Sequence, residues 1–152
     1  MEDTTETTNN SGPKEIQKIL EDLELAYEND RKSNEEGLPA LNKLNIMDSM
    51  YYRLLKRKNQ QELLDSGVLS CLKKWLEPLP DMSLPHDDVK KGVLDILLHL
   101  TPEVEHLKES GIGKIILFYS KNPYEKKGIK QMAKQLTLNW IKIASEEDEG
   151  MY

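Results

Sequence analysis

The sequence predicts an all-α protein, a right-handed stack of about eight helices. Three observations predict it. Leucine is abundant (23 residues) and valine scarce (4 residues), a balance that favours helix over sheet. Apolar residues recur at three- and four-residue steps through most of the chain. One stretch also repeats: Leu63-Leu64-Asp65-Ser66-Gly67-Val68 aligns with Leu107-Lys108-Glu109-Ser110-Gly111-Ile112 at an offset of 44 residues. The same offset pairs Leu72 with Ile116, Trp75 with Tyr119, Met50 with Leu94 and Leu54 with Leu98. The period falls within the ~40–47 residues of HEAT and armadillo repeats. Two and a half stacked helical units of that kind account for the length.

The elements follow in order. In residues 14–33, Ile16, Ile19, Leu20, Leu23, Ala26 and Tyr27 make a one-sided amphipathic helix. Pro39 opens a short segment with Leu41 and Leu44. A helix of about 47–57 turns Met50, Tyr51, Leu54 and Leu55 inward. Asn59, with Glu62 three residues on, reads as a capping box for a brief helix to Asp65. Gly67 stops it, and another helix runs from Val68 to Leu76. The segment 78–85, Pro-Leu-Pro-Asp-Met-Ser-Leu-Pro, is too proline-rich for regular structure. Pro85 suits the first turn of a helix over 85–100. There Val89, Val93, Leu94, Ile96, Leu97, Leu98 and Leu100 cover more than half the circumference, so neighbours must cover it on two sides. Thr101 and Pro102 then begin a helix that ends near Ser110. Gly111 separates it from a helix over 112–120. The last helix runs from Tyr124 to Ala144, with Ile129, Met132, Ala133, Leu136, Trp140 and Ile143 inward.

Charge divides the chain. Acids number 27 and Lys plus Arg 21, a net −6. Residues 1–13 and 145–152 read as disordered acidic tails around a single helical domain over 14–144. Residues 37–144 hold 17 bases against 12 acids, so the body beyond the acidic first helix is +5. A single Cys excludes an intrachain disulfide and suits a reducing compartment. The longest apolar run, Ile115 to Tyr119, is far short of a membrane span, and the acidic start is wrong for a signal peptide. Net acidity argues against binding nucleic acid with the whole molecule, while leaving room for a local basic patch.

The residues carry no enzyme constellation. His86, His99 and His106 lack ligand spacing for zinc and read as structural or surface groups. Cys71, one turn before Trp75, reads as a small buried apolar residue. No phosphate-binding glycine motif is present, and no cofactor is expected. Basic clusters are the better candidates: Lys56-Arg57-Lys58, Lys73-Lys74, Lys90-Lys91, and the stripe Lys127, Lys130 and Lys134. A solvated helix face is the ordinary reading of each. A helical stack with a basic ridge also suits an acidic peptide with aromatic anchors. Trp75 and Trp140 lie on apolar faces. Phe118, Tyr119 and Tyr124, near Lys121, have the make-up of a peptide hot spot.

Several of these stretches together resemble a known family. Asp65-Ser66-Gly67-Val68, then Trp75-Leu76-Glu77-Pro78-Leu79-Pro80-Asp81 and Ser83-Leu84-Pro85, are similar to the core of the Iws/Spn transcription elongation factors. Pro39-Ala40-Leu41, Ser110-Gly111-Ile112-Gly113-Lys114, Asn122-Pro123, and Met132-Ala133 to Leu136 and Trp140 extend the resemblance over residues 14–144. Ser66, Gly67, Trp75, Pro78, Pro80, Ser83, Pro85, Gly111 and Trp140 carry the motif.

The resemblance implies a fold like the TFIIS N-terminal (LW) domain. It implies a nuclear, non-enzymatic adaptor that binds an acidic disordered segment of an Spt-family histone chaperone, and so meets elongating RNA polymerase II and mRNA processing. A histone- or nucleic-acid-binding chromatin module using the same basic surface is the alternative. The family's long charged tails have no counterpart in the short flanks here, so functions that reside in them are not expected of this chain. Partner binding is expected at Lys56, Lys58, Lys90, Phe118, Tyr119, Lys127, Lys130, Gln131 and Lys134, on a monomer.

Overall fold

The computed structural model of the chain describes residues 13–150. Over these residues it holds eight helices: α1 (Pro13–Glu35), α2 (Asn42–Leu54), α3 (Arg57–Asp65), α4 (Val68–Leu76), α5 (Asp87–His99), α6 (Val104–Ser110), α7 (Gly113–Lys121) and α8 (Lys127–Gly150). No described residue is in a strand. α1 packs on α2, α4 and α3; α8 packs on α7, α5 and α6; α5 lies between, against α2, α8 and α4.

The two-sided helix is therefore the middle layer. Val89, Val93, Leu94, Ile96 and Leu97 of α5 are all buried. Gly92 lets α2 come close: a Cβ there would stand 2.7 Å from Met47 Sδ.

The repeat is visible in the backbone. Gly67 and Gly111 both take a left-handed conformation, with φ of 93° and 65°, which favours glycine in both positions. Trp75 and Tyr119 are each fully buried one helix later. Each sends its polar tip back to a main-chain oxygen of the preceding layer. Trp75 Nε1 donates to Leu23 O at 2.9 Å, and Tyr119 Oη donates to Leu76 O at 2.6 Å. A buried indole or phenol needs such a partner.

The Trp-to-Pro segment is an ordered, non-helical turn. Leu79 N donates to Ser83 O at 2.8 Å, and Asp81 Oδ1 accepts from Ser83 N and Oγ at 2.9 and 2.6 Å. Asp81 N donates to Asn34 Oδ1 at the end of α1, at 3.0 Å, which ties the turn to the first helix.

Several boundaries differ from the sequence reading, each for a local reason. α2 begins at Asn42, not Met47, because Asp30 of α1 caps it from across the helix pair. Its Oδ1 accepts from Asn42 N at 2.7 Å, and its Oδ2 accepts from Lys43 N at 3.1 Å and from Lys43 Nζ at 3.0 Å. α3 begins at Arg57; Asn59 lies inside its first turn, buried, and does not cap it. α5 is capped by His86, whose ring accepts from Asp88 N at 3.0 Å, so Pro85 precedes the helix. α6 is capped by a Glu103–His106 box rather than by Thr101. α8 starts at Lys127, because Asn122 Oδ1 accepts from Tyr124 N in a turn. It then runs through 145–150, a stretch expected as tail. The expected N-terminal tail lies outside the described residues except Pro13, which opens α1.

Asp30 and Lys43 form a nearly closed pair, with 1% and 3% of their surface exposed. Burial pushes the Asp30 carboxyl up, but the Lys43 backbone N–H, the Lys43 ammonium and Asn42 outweigh it and hold it below the usual range. Asp30→Ala should lower stability by about 3–5 kcal/mol, since it leaves the Lys43 charge buried and unpaired. Urea unfolding measures this. A depressed folded-state pKa stabilises above the unfolded pKa of about 3.9 and loses that contribution as pH falls through the folded value. The gap between wild type and D30A should therefore be full at pH 7 and narrow below about pH 4.

Candidate functional site

The expected partner residues separate into four places. Lys90 and Tyr119 are not on the surface, which corrects the sequence reading. Lys90 Nζ lies 2.9 and 3.1 Å from the Glu125 carboxylate and 3.4 Å from Asp87. It also stands 5.6 Å over the Tyr119 ring. Lys126 closes the cluster, 2.6 Å from Asp87 Oδ2, and this contact holds the Asp87 carboxyl below its usual range. A lysine can run its stem through the core when its ammonium is fully paired. Here the pairing fastens α5 to the turn between α7 and α8. Tyr119 is enclosed in the same region, and burial, with Glu125 beside it, pushes its phenol up.

Lys56 and Lys58 sit exposed where α3 begins. Lys56 Nζ is 2.9 Å from Glu15 Oε1 and holds that carboxyl low. The helices packed on α3 are α1, α4 and α2, whereas those on α8 are α7, α5 and α6. This corner and the α8 lysines are thus separate surfaces.

The α8 residues do form a surface. Lys127, Gln131, Lys134, Leu138 and Ile141 follow one another at alternating four- and three-residue steps, so they share one helix face. All five are exposed, with Leu138 at 62% and Ile141 at 57%. Lys130 is half-buried at the edge of this stripe. The opposite face, Ile129, Ala133, Leu136 and Trp140, is the buried one. The stripe is basic and polar in its first half and apolar in its second. Beside Ile141 lies a recess of about 260 Å³ lined by Leu107, Gly113, Thr137, Trp140, Ile141 and Ala144. Phe118 lies elsewhere, on the outer side of α7, 44% exposed.

The sequence reading missed Leu138 and Ile141. The signal was present: they continue the lysine stripe at helical spacing. The inner-face residues around them masked it, because a second apolar face on a helix already amphipathic reads as more core.

The remaining candidates are structural. His106 accepts from Glu103 N at 2.9 Å and meets Asp65 at 2.8 Å, joining α6 to α3. Cys71 is half-buried, and its thiol is pushed up by burial, away from thiolate chemistry. Among the described residues no group of three or more His, Cys, Asp or Glu is placed to hold a metal ion. No described helix is long and apolar enough to cross a membrane. The arrangement offers a basic-to-apolar docking face.

Known proteins share this helical fold. A family described as Med26, TFIIS helical bundle-like domain, matches residues 92–144. A chain in the crystal structure of a Spt6–Iws1(Spn1) complex from Encephalitozoon cuniculi superposes with a TM-score of 0.85 at 36% identity. The match covers 88% of this chain and 98% of that one. The chain belongs to the Iws1 (Spn1) family. Protein IWS1 homolog 1 of Arabidopsis thaliana is 38% identical over 131 residues, 82% of this chain and 26% of its own length. Transcription factor iws1 of Schizosaccharomyces pombe is 38% identical over 126 residues, and transcription factor SPN1 of Saccharomyces cerevisiae 31% over 130. This chain spans 29% and 32% of those two relatives. The family's TFIIS-like helical fold is the fold described above, and its members carry the names of transcription factors.

The buried and exposed lysines should separate by their effect on stability. Lys90→Ala, which strands Glu125, should cost about 3–5 kcal/mol. Lys127→Ala should fall within about 0.5 kcal/mol of wild type. Urea midpoints of the two variants measure the contrast.

Proposed function

We propose that this chain is a nuclear, non-enzymatic transcription elongation adaptor. It binds an acidic disordered segment of an Spt6-type histone chaperone and, through that partner, joins elongating RNA polymerase II. The observation that carries the reading is the likeness, along nearly the whole of its length, to a chain crystallised in a Spt6–Iws1(Spn1) complex. The α8 stripe supports it. Lys127, Lys130 and Lys134 meet acidic partner residues, Gln131 meets partner backbone or amides, and Leu138 with Ile141 receives apolar anchors. Charge sets capture rate and register, and the apolar contacts carry most of the affinity.

Calorimetry with the acidic N-terminal segment of the cognate Spt6 tests this. Lys127→Glu combined with Lys130→Glu should weaken binding at least tenfold, and Leu138→Asp should do the same. Far-UV circular dichroism should be unchanged in both. Absence of heat with the wild-type chain sinks the proposal. Binding of DNA or histones by the chain alone, with a steep salt dependence, would favour the chromatin-module reading instead.

A further inference from the structure

The C-terminal end of α8 carries a motif that docking does not use. Ser145 is exposed there, and the sequence follows it with Glu146, Glu147, Asp148 and Glu149. Among all the serines and threonines of the chain, only Ser33 and Ser145 have an acidic residue three positions on. The two differ in access. Ser33 is half-buried in α1, and its carbonyl accepts from Glu36 N at 3.1 Å and Leu38 N at 2.8 Å, so the backbone around it is held. Ser145 lies past Ile143, the last residue of α8 that packs on the core among the described residues. Ala144, Ser145 and Glu146 are all exposed. Acids at the C-terminal end of a helix oppose its macrodipole, and α8 has no base in its last turn. Opening the turn around Ser145 therefore costs little, because it uncovers no apolar surface and relieves like charge at the negative helix end. Ser145 also has a definite place. It stands four residues after Ile141, and so continues the exposed stripe of Lys127, Gln131, Lys134, Leu138 and Ile141 by one step.

We propose that Ser145 is a phosphorylation site for an acid-directed protein kinase, and that its phosphate weakens docking on the apolar half of the α8 stripe. The second half of this rests on the docking role given to α8 above; the first does not. In the transfer, Ser145 Oγ attacks the γ-phosphorus of ATP. An Oγ–P bond forms, the bond from the γ-phosphorus to the bridging oxygen breaks, ADP leaves, and the hydroxyl proton passes to the kinase's catalytic carboxylate. A kinase with a basic substrate groove is selected by the carboxylates that follow the serine. The product adds about −1.5 to −2 charge at pH 7. Four residues of helix place it roughly 6 Å along the axis from Ile141, inside the screening length of ~8 Å at physiological salt. Lys142 is the only base within four residues of Ser145 in the sequence, so the charge is not neutralised locally. An acidic partner is then repelled where its apolar anchor must land, and that anchor meets a hydrated phosphate. Lys127, eighteen residues back, is roughly 27 Å away along the helix, so the basic half of the stripe keeps its attraction. The phosphate thus weakens docking without abolishing it.

The test has two arms. In the first, the full chain is incubated with ATP and casein kinase II, an acid-directed kinase, and mass spectrometry locates the phosphate. Ser145 should be the main acceptor, Ser145→Ala should remove that label, and Glu147→Gln with Asp148→Asn should slow it at least tenfold. No phosphate at Ser145, a label placed mainly on Ser33, or labelling indifferent to the acids overturns the site. In the second arm, the phosphorylated protein is titrated calorimetrically with the acidic N-terminal segment of the cognate Spt6. Affinity should fall at least fivefold, while the melting temperature stays close to that of the unmodified chain. Ser145→Ala taken through the same kinase treatment should keep its affinity. Equal binding by the phosphorylated and unmodified chains overturns the regulatory effect. If the unmodified chain does not bind at all, the docking role of α8 fails and the regulatory effect with it, and the acceptor site is decided by the first arm alone.

Discussion

The fold depends on one constraint: α5 is apolar over more than half its circumference, and that surface cannot face water. Each Å² of such surface removed from water contributes about 25 cal/mol, and removing it requires cover on both flanks. α2 supplies one flank and α8 the other, with α4 between. α7 packs along α8 in turn. The Lys90–Glu125 pair adds direction to this burial, since it lets the turn before α8 meet α5 in one register only. Such a pair adds little net stability over an apolar substitute, but losing one partner is costly because the other charge is left buried.

The exposed stripe of α8 follows from the same constraint. Once the Ile129, Ala133, Leu136 and Trp140 face is committed to α5, the opposite face of α8 is held outward and rigid. A rigid face loses little freedom on docking, so for the proposed partner the ordering cost would fall on its disordered segment. The surface is also electrically local. An acidic molecule presents lysines where α7 and α8 meet solvent, while the acidic first helix lies on the far side of α5.

Much of the architecture was legible in the residues, because it rests on periodicity and on glycines with one backbone role. Gly67 and Gly111 marked the repeat, and the breadth of apolar surface in 85–100 marked the middle layer. Helix starts were less legible. α2 is capped by Asp30, twelve residues upstream in another helix, and no local pattern encodes that. The site was half legible. Lys127, Gln131 and Lys134 share an exposed face as their spacing implies. Lys90 and Tyr119 were misplaced because a charge or hydroxyl next to apolar residues looks exposed in one dimension. Only the fold reveals Glu125 waiting 35 residues away to receive the ammonium.

The two aromatic tips have a consequence for how the molecule comes apart. Trp75 reaches back 52 residues to Leu23, and Tyr119 reaches back 43 to Leu76. Each therefore rivets one layer to the next. Cohesion is passed from neighbour to neighbour along the stack, as in a column of tiles. Fraying of α1 would break the first rivet and leave the second intact, so the half that carries α7 and α8 retains its own fastening.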